Sequence, residues 1–391
     1  MTKPLLSVVM IVKDEAHALA KTIESVQGVA SKVTILDTGS SDGTQDVARG
    51  EVARMGGALH EGPFIDYASA RNRALDLEAS SADAAAWALS LSADETLRGD
   101  KEKLLGALRE AKGDAVLIEV RTPLGAFPYP RILRVGGPWR YEGVSHEMPV
   151  HQGDRDRTPE DAVEGCWIEY APTDPARLAR RLREQDMPLL ETMRKGAKTA
   201  AERARAILLL GQTREQIAST IADDVVAASQ EMFAALGYYA YLSMDETTPA
   251  QARRTATWKY LNVAEMLGIH LPREMVPRLQ RAAEEDPKNP AVLYMLARHT
   301  VDIDAEGRLR GDPRAGLQAA QKAAKVAEEA IKDPSAPHDP HGIRWRSHFL
   351  AATCAGILGH GPAAKKSAEA GIAAGGPTEA FEQFLMKNGR N

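Results

Sequence analysis

The chain has 391 residues, of which 44% are hydrophobic and 26% charged, so it is a globular protein of two or three domains and not a disordered one. Its formal net charge of −5 excludes the global positive field of a dedicated nucleic-acid-binding protein. Its two cysteines, Cys166 and Cys354, are too few for a disulfide framework and suit a reducing compartment.

The first residues form a short apolar stretch. It runs for only about eight residues before Lys13, which is too short to span a membrane, and no small-residue cleavage site follows. We therefore expect a buried first strand in a soluble, cytoplasmic protein with no membrane partner.

Residues 1–165 alternate short β-branched runs with helical stretches. Strands are predicted over 5–12 and 31–39, and helices over 16–28 and 44–57. This alternation is typical of βαβ units and predicts an α/β domain with a Rossmann-like, mostly parallel sheet. Ligands of such sheets bind at the carboxyl ends of the strands, so we expect the functional residues directly after each strand.

Residues 174–391 predict an all-α domain. Asp174 and Pro175 indicate a helix start, and Pro188 predicts a kink or a break in that helix. Because Pro and Gly residues separate the helical segments, we expect a tetratricopeptide-like repeat array, with a plain helical bundle as the alternative. The further helices are predicted over 202–218, 223–243, 249–268, 289–301, 315–332 and 342–361.

Polar residues follow the first two strands. Residues 12–15 end the first strand, and a Gly-rich turn over 37–44 follows the second. Such a turn offers backbone N–H groups to an anion, and the carboxylate of Asp37 can accept a hydrogen bond from a sugar hydroxyl or a base. The alternative is an ordinary polar turn in which Asp42 or Thr44 caps the next helix, and the turn taken alone favours it.

Arg71 follows a short strand over 58–64 and lies near the mouth of the predicted sheet. A guanidinium there suits a diphosphate, although a single arginine on a solvated helix face is the commoner case.

The stretch LSLSADE, residues 89–95, is a buried strand that ends in two carboxylates. Ser92 and Glu95 match the S-x-x-E capping box that precedes a helix. Alternatively, Asp94 binds a divalent cation that bridges a nucleotide diphosphate. The spacing does not choose between the two interpretations.

The segment 131–151 carries two carboxylates and two histidines, Glu142, Glu147, His146 and His151. Histidine beside carboxylates is typical of a metal ligand next to a general base. The alternative is a polar loop at the sheet edge, which we prefer for His151.

Together these segments resemble a family-2 glycosyltransferase of the GT-A fold. Each motif is weak alone, but five in the family's order over about 145 residues are specific together. The C-terminal half resembles the tetratricopeptide-type extension of one subgroup in architecture only. The motifs are SVVMIVKDE, ILDTGSSDGT, ARNRAL, WALSLSADE, and PRILR followed by YEGVSHE.

The resemblance implies a role for each matched position. Asp94 matches the acid that holds Mn²⁺ or Mg²⁺ against both phosphates, and His146 matches a late metal ligand. The candidates for the general base are Glu142, Glu147 and Glu95. The nucleotide-sugar would be bound by Val12, Lys13, Glu15, Asp37, Gly39, Arg71 and Ser92.

Ser92 departs from the family pattern, which usually has aspartate there. Its hydroxyl carries no charge, so more of the coordination is left to the diphosphate, water and His146. Two alternatives are a dispensable metal and a degenerate, non-catalytic copy.

The resemblance implies a metal-dependent, inverting, hexosyltransferase-like enzyme that uses a nucleotide-sugar, with a UDP-sugar expected. A helical-repeat domain presents a surface to an extended partner, so a peptide or protein acceptor is the first expectation. The arginine-rich segments 176–185 and 253–260 make a modified, phage-type DNA base the alternative acceptor. An alternative of another class is a non-catalytic nucleotide-sugar-binding scaffold. A homodimer through the helical domain is a further expectation.

Overall fold

The computed structural model describes residues 3–122, 125–170, 174–269, 275–301, 311–331 and 340–388. Its contacts divide the chain into two units, Met1–Gly196 and Ala197–Asn391. The helical segment that follows Asp174, which we expected to open the second domain, therefore packs within the first unit.

The first unit contains an eight-stranded sheet and a separate two-stranded hairpin. The sheet strands are β1 (Leu6–Val12), β2 (Val33–Asp37), β3 (Gly57–Glu61), β4 (Trp87–Leu91), β5 (Glu95–Gly99), β6 (Ala115–Thr122), β7 (Gly125–Arg134) and β10 (Asp161–Tyr170). The hairpin strands are β8 (Trp139–Glu142) and β9 (Met148–His151).

Four of the seven pairings in the sheet are parallel, and its strand order is β3-β2-β1-β4-β7-β6-β10-β5. β1 is central and pairs in parallel with β2 on one side and β4 on the other. The antiparallel pairs are β4 with β7, β6 with β7, and β5 with β10. This α/β unit with a mostly parallel sheet, followed by a helical unit, confirms the predicted fold class.

Both faces of the sheet are buried, as a parallel sheet requires. Val8, Met10 and Val12 of β1 belong to one hydrophobic cluster, whereas Val9 belongs to the cluster on the opposite face. Successive strand residues point to opposite faces, so the continuous apolar run of β1 supplies both clusters. The carboxyl end of β1 is thereby fixed in the middle of the sheet.

The helices of the first unit are α1 (Leu19–Ser25), α2 (Thr44–Met55), α3 (Tyr67–Ala79), α4 (Lys101–Glu110), α5 (Pro175–Arg181) and α6 (Met187–Gly196). A π-helical turn, Leu182–Asp186, joins α5 to α6 and ends two residues before Pro188, where we predicted a kink or a break. Proline has no N–H to donate, and its ring crowds the carbonyl four residues earlier, so the wider turn relieves this conflict without ending the helix.

Gly57 begins β3 and does not end the preceding helix, which was predicted to reach residue 57 but stops at Met55. Its φ of 109° lies in the left-handed region, and a Cβ there would lie 1.9 Å from the carbonyl oxygen of Val33. Only glycine allows β3 to pair this closely with β2.

The second unit is helical, and each helix packs against the next along the chain. The helices are α7 (Ala200–Thr220), α8 (Val225–Met244), α9 (Ala250–Met266), α10 (Met275–Glu285), α11 (Pro290–Val301), α12 (Pro313–Ala330), α13 (Pro340–Ile357), α14 (Gly361–Ala373) and α15 (Thr378–Asn388). Contacts of α7 with α9, α9 with α11, and α11 with α13 give the stacked order of a repeat array. Lys332, the last residue of one predicted segment, lies outside the described residues.

Both cysteines are free and buried. Among the described residues, none of the helices combines the length and the apolar character needed to cross a lipid bilayer.

Candidate active site

A cavity of about 370 Å³ opens in the first unit at the carboxyl ends of β1 and β4. From β1 the chain proceeds to β2 and β3 on one side and returns as β4 on the other, so these ends border the crevice at a topological switch point. Six of the predicted site residues line the cavity: Val12, Lys13, Glu15, Arg71, Ser92 and Asp94. The other six do not line it: Asp37, Gly39, Glu95, Glu142, His146 and Glu147.

The loop after β1 is held by the loop after β2. The backbone N–H of Asp14 donates to Ser40 Oγ at 2.8 Å, and that of Glu15 donates to Thr44 Oγ1 at 2.6 Å. The carboxylate of Asp14 accepts from the backbone N–H of Ser41 at 2.7 Å. Asp14 has a φ of 55°, a conformation that costs energy and is kept here by these bonds. The loop thus presents Glu15 to the cavity in a defined position.

The residues over 37–44 do more than cap α2, the alternative that we favoured for this turn alone. The N-cap of α2 is Gly43, which has no side-chain capping bond. Asp42 accepts from the backbone N–H of Thr44, the first residue of α2, at 3.0 Å, and Asp42 and Thr44 also accept from the backbone N–H groups of Ala16 and Glu15, respectively. The Gly-rich turn therefore shapes the cavity wall.

Asp37 is fully buried beneath this turn. Its Oδ1 accepts from the backbone N–H groups of Gly39 and Ser40, both at 2.9 Å, and from the side chain of Gln45 at 3.2 Å. Burial alone would raise the pKa of Asp37, but these hydrogen bonds outweigh it and lower the pKa, so the side chain is ionised. Its Oδ2 is buried and has no hydrogen-bond partner among the described residues.

Arg71 projects from α3 into the sheet and is 8% exposed. Its Nε donates to Glu147 Oε1, Nη1 donates to Ser90 Oγ at 3.0 Å, and Nη2 donates to Ser92 Oγ at 3.3 Å. Burial would lower the pKa of Arg71, but the charge of Glu147 more than compensates and raises it. The solvated-helix alternative for Arg71 is therefore wrong, because β4, α3 and the hairpin enclose its guanidinium.

The stretch Ser92–Glu95 forms a turn between two strands and not a helix start. The backbone N–H of Ser92 donates to Glu95 Oε2 at 2.8 Å, which is half of a capping box, but Glu95 opens strand β5. The capping-box prediction is thus wrong, because antiparallel pairing with β10 determines the path of the chain beyond Asp94. Asp94 lines the cavity at the tip of this turn.

The three carboxylates predicted as general bases are each held in an ion pair. Glu95 pairs with Arg131 at 2.7 Å, Glu142 pairs with Arg155 at 2.6 Å, and Glu147 pairs with Arg71. Burial would raise the pKa of Glu147, but the charge of Arg71 outweighs it and lowers the pKa, which weakens Glu147 as a base. The role of these three residues stays a prediction.

Sequence reasoning missed the wall of the cavity opposite the sheet, which α5 and the π-helical turn supply. Four residues of this wall line the cavity: Arg177, Arg180, Arg181 and Glu184. The last three follow Arg177 by three, four and seven residues, so all four share one helical face. Arg177 pairs with Glu15 at 3.0 Å and donates to the carbonyl oxygen of Asp14. The arginine-rich segment 176–185 carried the signal, but its spacing does not reveal what it packs against.

Tyr67 and Asp186 add polar atoms that are buried beside this wall. The hydroxyl of Tyr67, which lines the cavity, has no hydrogen-bond partner among the described residues. Asp186 is 4% exposed and accepts from Ser145 Oγ at 2.7 Å through Oδ1. Burial, followed by the charge of Asp186, raises the pKa of Tyr67, and burial raises the pKa of Asp186. The hydroxyl of Tyr67 therefore stays protonated and can donate to a ligand.

The predicted metal ligands do not form a metal site by themselves. His146 is exposed on the turn of the β8–β9 hairpin, with a φ of 52°, and does not line the cavity as Asp94 does. Within the described ranges, no group of three or more His, Cys, Asp or Glu side chains is placed to hold a metal ion. Ser92 stands where the family usually has aspartate, and its hydroxyl accepts a hydrogen bond from the cationic Arg71. The described side chains alone therefore do not supply a complete ligand set for a divalent cation.

His151, for which we preferred the loop interpretation, ends strand β9. It is 9% exposed, and its Nδ1 accepts from the backbone N–H of Asp154 at 2.9 Å. Its contacts are those of a structural residue of the hairpin.

No family model matches the chain. A TPR repeat-containing protein of Synechococcus elongatus (strain ATCC 33912 / PCC 7942 / FACHB-805) is 34% identical over 131 residues, which are 33% of this chain and 30% of that protein. The chain thus spans less than a third of this curated relative.

Three solved structures are similar at low sequence identity. S. aureus TarS has a TM-score of 0.36 and 11% identity over 77% of this chain and 56% of that chain. TarS 1–349 of S. aureus has a TM-score of 0.34 and 13% identity over 78% of this chain and 95% of that chain. The 4-diphosphocytidyl-2C-methyl-D-erythritol synthase of Anaerococcus prevotii DSM 20548 has a TM-score of 0.24 and 9% identity over 48% of this chain and 76% of that chain. At these TM-scores, none of the likenesses implies a shared activity.

Proposed function

We propose that the first unit is a glycosyltransferase that binds a nucleotide-sugar, with UDP as the expected nucleotide, in the cavity at the ends of β1 and β4. One observation carries the proposal. Motifs that are far apart in the sequence, and that resemble the family-2 motifs in their order, supply Glu15, Arg71 and Asp94 to one cavity. This cavity lies where α/β sheets bind their ligands.

The proposed reaction is a single displacement with inversion at the anomeric carbon. A carboxylate takes the proton of the acceptor nucleophile, which attacks the anomeric carbon as the bond to the nucleoside diphosphate breaks. Among the described residues, four carboxylates line the cavity: Asp14, Glu15, Asp94 and Glu184. Burial raises the pKa of Glu15 against the opposing charge of Arg177, so Glu15 joins the candidates for the proton acceptor. Cationic side chains stabilise the charge that develops on the leaving group.

The proposed acceptor is a peptide or protein, because the helical array of the second unit resembles arrays that present an extended surface to a chain-like partner. Three of the four arginines of segment 176–185, which suggested a DNA acceptor, line the cavity of the first unit. One of the two observations that favoured DNA is therefore better explained by the donor site. We place this reaction in the cytoplasm.

A thermal-shift screen of nucleotide-sugars, with and without Mn²⁺, tests the binding half of the proposal. A ligand that binds only the folded state raises Tm by mass action, so the donor should stand out from the panel. Release of nucleoside diphosphate from that donor, without any acceptor, then tests the catalytic half, with Asp94→Ala as the inactive control.

Two outcomes contradict the proposal in different ways. If no nucleotide-sugar shifts Tm, the cavity is not a donor site. If one binds but its nucleoside diphosphate is never released, with or without acceptor peptides, the chain is a non-catalytic binding scaffold.

A further inference from the structure

The wall formed by α5 and the π-helical turn brings guanidinium groups to the cavity that Glu15 and Asp94 line. Arg177, Arg180 and Arg181 line it from one helical face, and Arg71 lines it from the sheet side. The ion pair of Arg181 with Asp186 is long, 3.8 Å from Nε to Oδ2, and its side chain keeps 42% of its exposure. The side chain of Arg181 is thus accessible to a ligand, while its backbone belongs to α5 and so to the wall.

Two carboxylates in and beside the cavity are paired with arginines that line it. Glu15 pairs with Arg177 at 3.0 Å, and Glu147 pairs with Arg71. Ser92 stands where a second acid would be needed, and Arg71 Nη2 lies 3.3 Å from its Oγ. Among the described residues, five cationic side chains line the cavity, Lys13, Arg71, Arg177, Arg180 and Arg181, against the four carboxylates Asp14, Glu15, Asp94 and Glu184. The lining thus has a net positive charge, which favours a diphosphate over a divalent cation.

Guanidinium groups are also suited to this ligand by their shape. The planar fork of an arginine donates two parallel hydrogen bonds to phosphate oxygens, and such charge-assisted bonds are stronger than neutral ones. Arg177 and Arg181 are four residues apart and project from neighbouring turns of one helical segment. Both can therefore face one ligand, and Arg177, which already pairs with Glu15 and donates to Asp14, would share its guanidinium between these contacts and a phosphate.

We propose that Arg177 and Arg181, supported by Arg71, bind the diphosphate of the nucleotide-sugar in place of a divalent metal ion. This inference rests on the proposed function. It replaces the metal dependence that the resemblance implied. Ser92 lacks the carboxylate that the family usually has, and the arginines of the wall supply the positive charge that the metal ion would supply. In the reaction, these arginines stabilise the negative charge of the leaving nucleoside diphosphate, and the carboxylate of Asp94 does not need to hold a metal.

Isothermal titration of UDP, GDP, CDP and ADP into the full chain, in EDTA and in Mn²⁺, tests this inference directly. We expect at least one of them to bind in EDTA, with an affinity in Mn²⁺ that differs by less than about threefold. The loss of one charge-assisted contact should lower the affinity about tenfold or more. Arg181→Gln should therefore bind the nucleoside diphosphate in EDTA more weakly than the wild type by that factor. The corresponding nucleoside should bind Arg181→Gln and the wild type equally well.

Arg183→Gln is the matched control. Arg183 lies in the π-helical turn, two residues after Arg181, and is exposed, but it does not line the cavity, so its loss should change the affinity by less than about twofold. Arg181→Lys keeps the charge but loses the fork and should fall between the wild type and Arg181→Gln. Arg177→Gln is a second variant on the wall, and an unchanged Tm shows that each variant is folded.

The outcomes separate the two proposals. Binding that requires Mn²⁺ overturns this inference and leaves the proposed function intact. Wild-type affinity in both Arg181→Gln and Arg177→Gln also overturns it. If no nucleoside diphosphate binds under either condition, the proposed function fails and this inference fails with it. If the variants do not fold, the comparison of EDTA with Mn²⁺ in the wild type still decides.

Discussion

Breaking the ion pair between Arg71 and Glu147 should strongly destabilise the part of the first unit that carries the candidate active site. Their side chains are only 10% and 12% exposed, and they join α3 to the β8–β9 hairpin. Replacing one partner of a buried pair leaves a buried charge without its counter-ion, which costs about 3–5 kcal/mol. Arg71→Leu also removes the bonds to Ser90 and Ser92, so we expect a loss of at least about 3 kcal/mol in the free energy of unfolding.

The same two elements carry a matched control. Arg140 of β8 pairs with Asp76 of α3 at 3.0 Å, but these side chains are 32% and 60% exposed. Exposed pairs contribute about 0–1 kcal/mol, so Arg140→Leu should change the stability by no more than that. The double variant Arg71→Leu/Glu147→Leu removes both buried charges and should recover much of the loss seen with Arg71→Leu.

Hydrogen exchange in increasing urea, read by mass spectrometry on peptides of β1 and β4, measures the opening free energy of this unit separately from the helical unit. The pH dependence gives a second reading. Because the folded-state pKa of Glu147 is lowered from its ordinary value of 4.5, its contribution is fully present above that value and is lost as the pH falls through the folded pKa. Two results would refute this reasoning. One is a decrease of less than about 1 kcal/mol in the free energy of unfolding for Arg71→Leu. The other is a decrease for the double variant that equals or exceeds the sum of the decreases for the two single variants.

Further predictions concern catalysis and the backbone. Asp94→Ala should abolish sugar transfer in a donor-turnover assay while Tm stays unchanged, and transfer at the wild-type rate would contradict the site. If Glu15 is the proton acceptor, the acid limb of the pH–rate profile should lie above the ordinary carboxyl value of 4.5, because burial raises the pKa of Glu15, and Glu15→Gln should remove that limb. Gly57→Ala should destabilise the first unit by at least about 2 kcal/mol in urea unfolding, because its Cβ would meet the carbonyl of Val33; an unchanged midpoint would disprove the close approach. Thr199→Ala removes the capping box of α7 and should cost the helical unit about 1 kcal/mol, an effect that urea unfolding detects and that Thr199→Ser should largely avoid.

Several elements were predictable because their signals are local. The apolar run of β1 and the spacing of the α7 and α8 segments depend on neighbouring residues alone. The order of the strand-end motifs also indicated one ligand site, because the carboxyl ends of parallel strands share one edge of the sheet. Val12, Lys13, Glu15, Arg71, Ser92 and Asp94 were brought together in this way.

Strands β5 to β7 and β10 were not predicted, and the reason is visible at Glu95. The local signal over Ser92–Glu95 is real, because the backbone N–H of Ser92 does bond to the Glu95 carboxylate. The same four-residue hydrogen bond suits a helix start and a turn between strands, and only the pairing of β5 with β10 decides which one forms. That pairing joins segments that are distant in the sequence, so no local pattern contains it.

The residues of the chain by themselves determined the α/β and all-α halves, the strand-end carboxylates and the serine that replaces an acid at position 92. Only the tertiary structure decided which side chains line the cavity together with these carboxylates. The arginines of α5 reach Glu15 and line the cavity with Asp94 because the segment after β10 packs within the first unit. Helical spacing places Arg177 and Arg181 on one face, but which surface that face meets depends on packing between segments far apart in the chain.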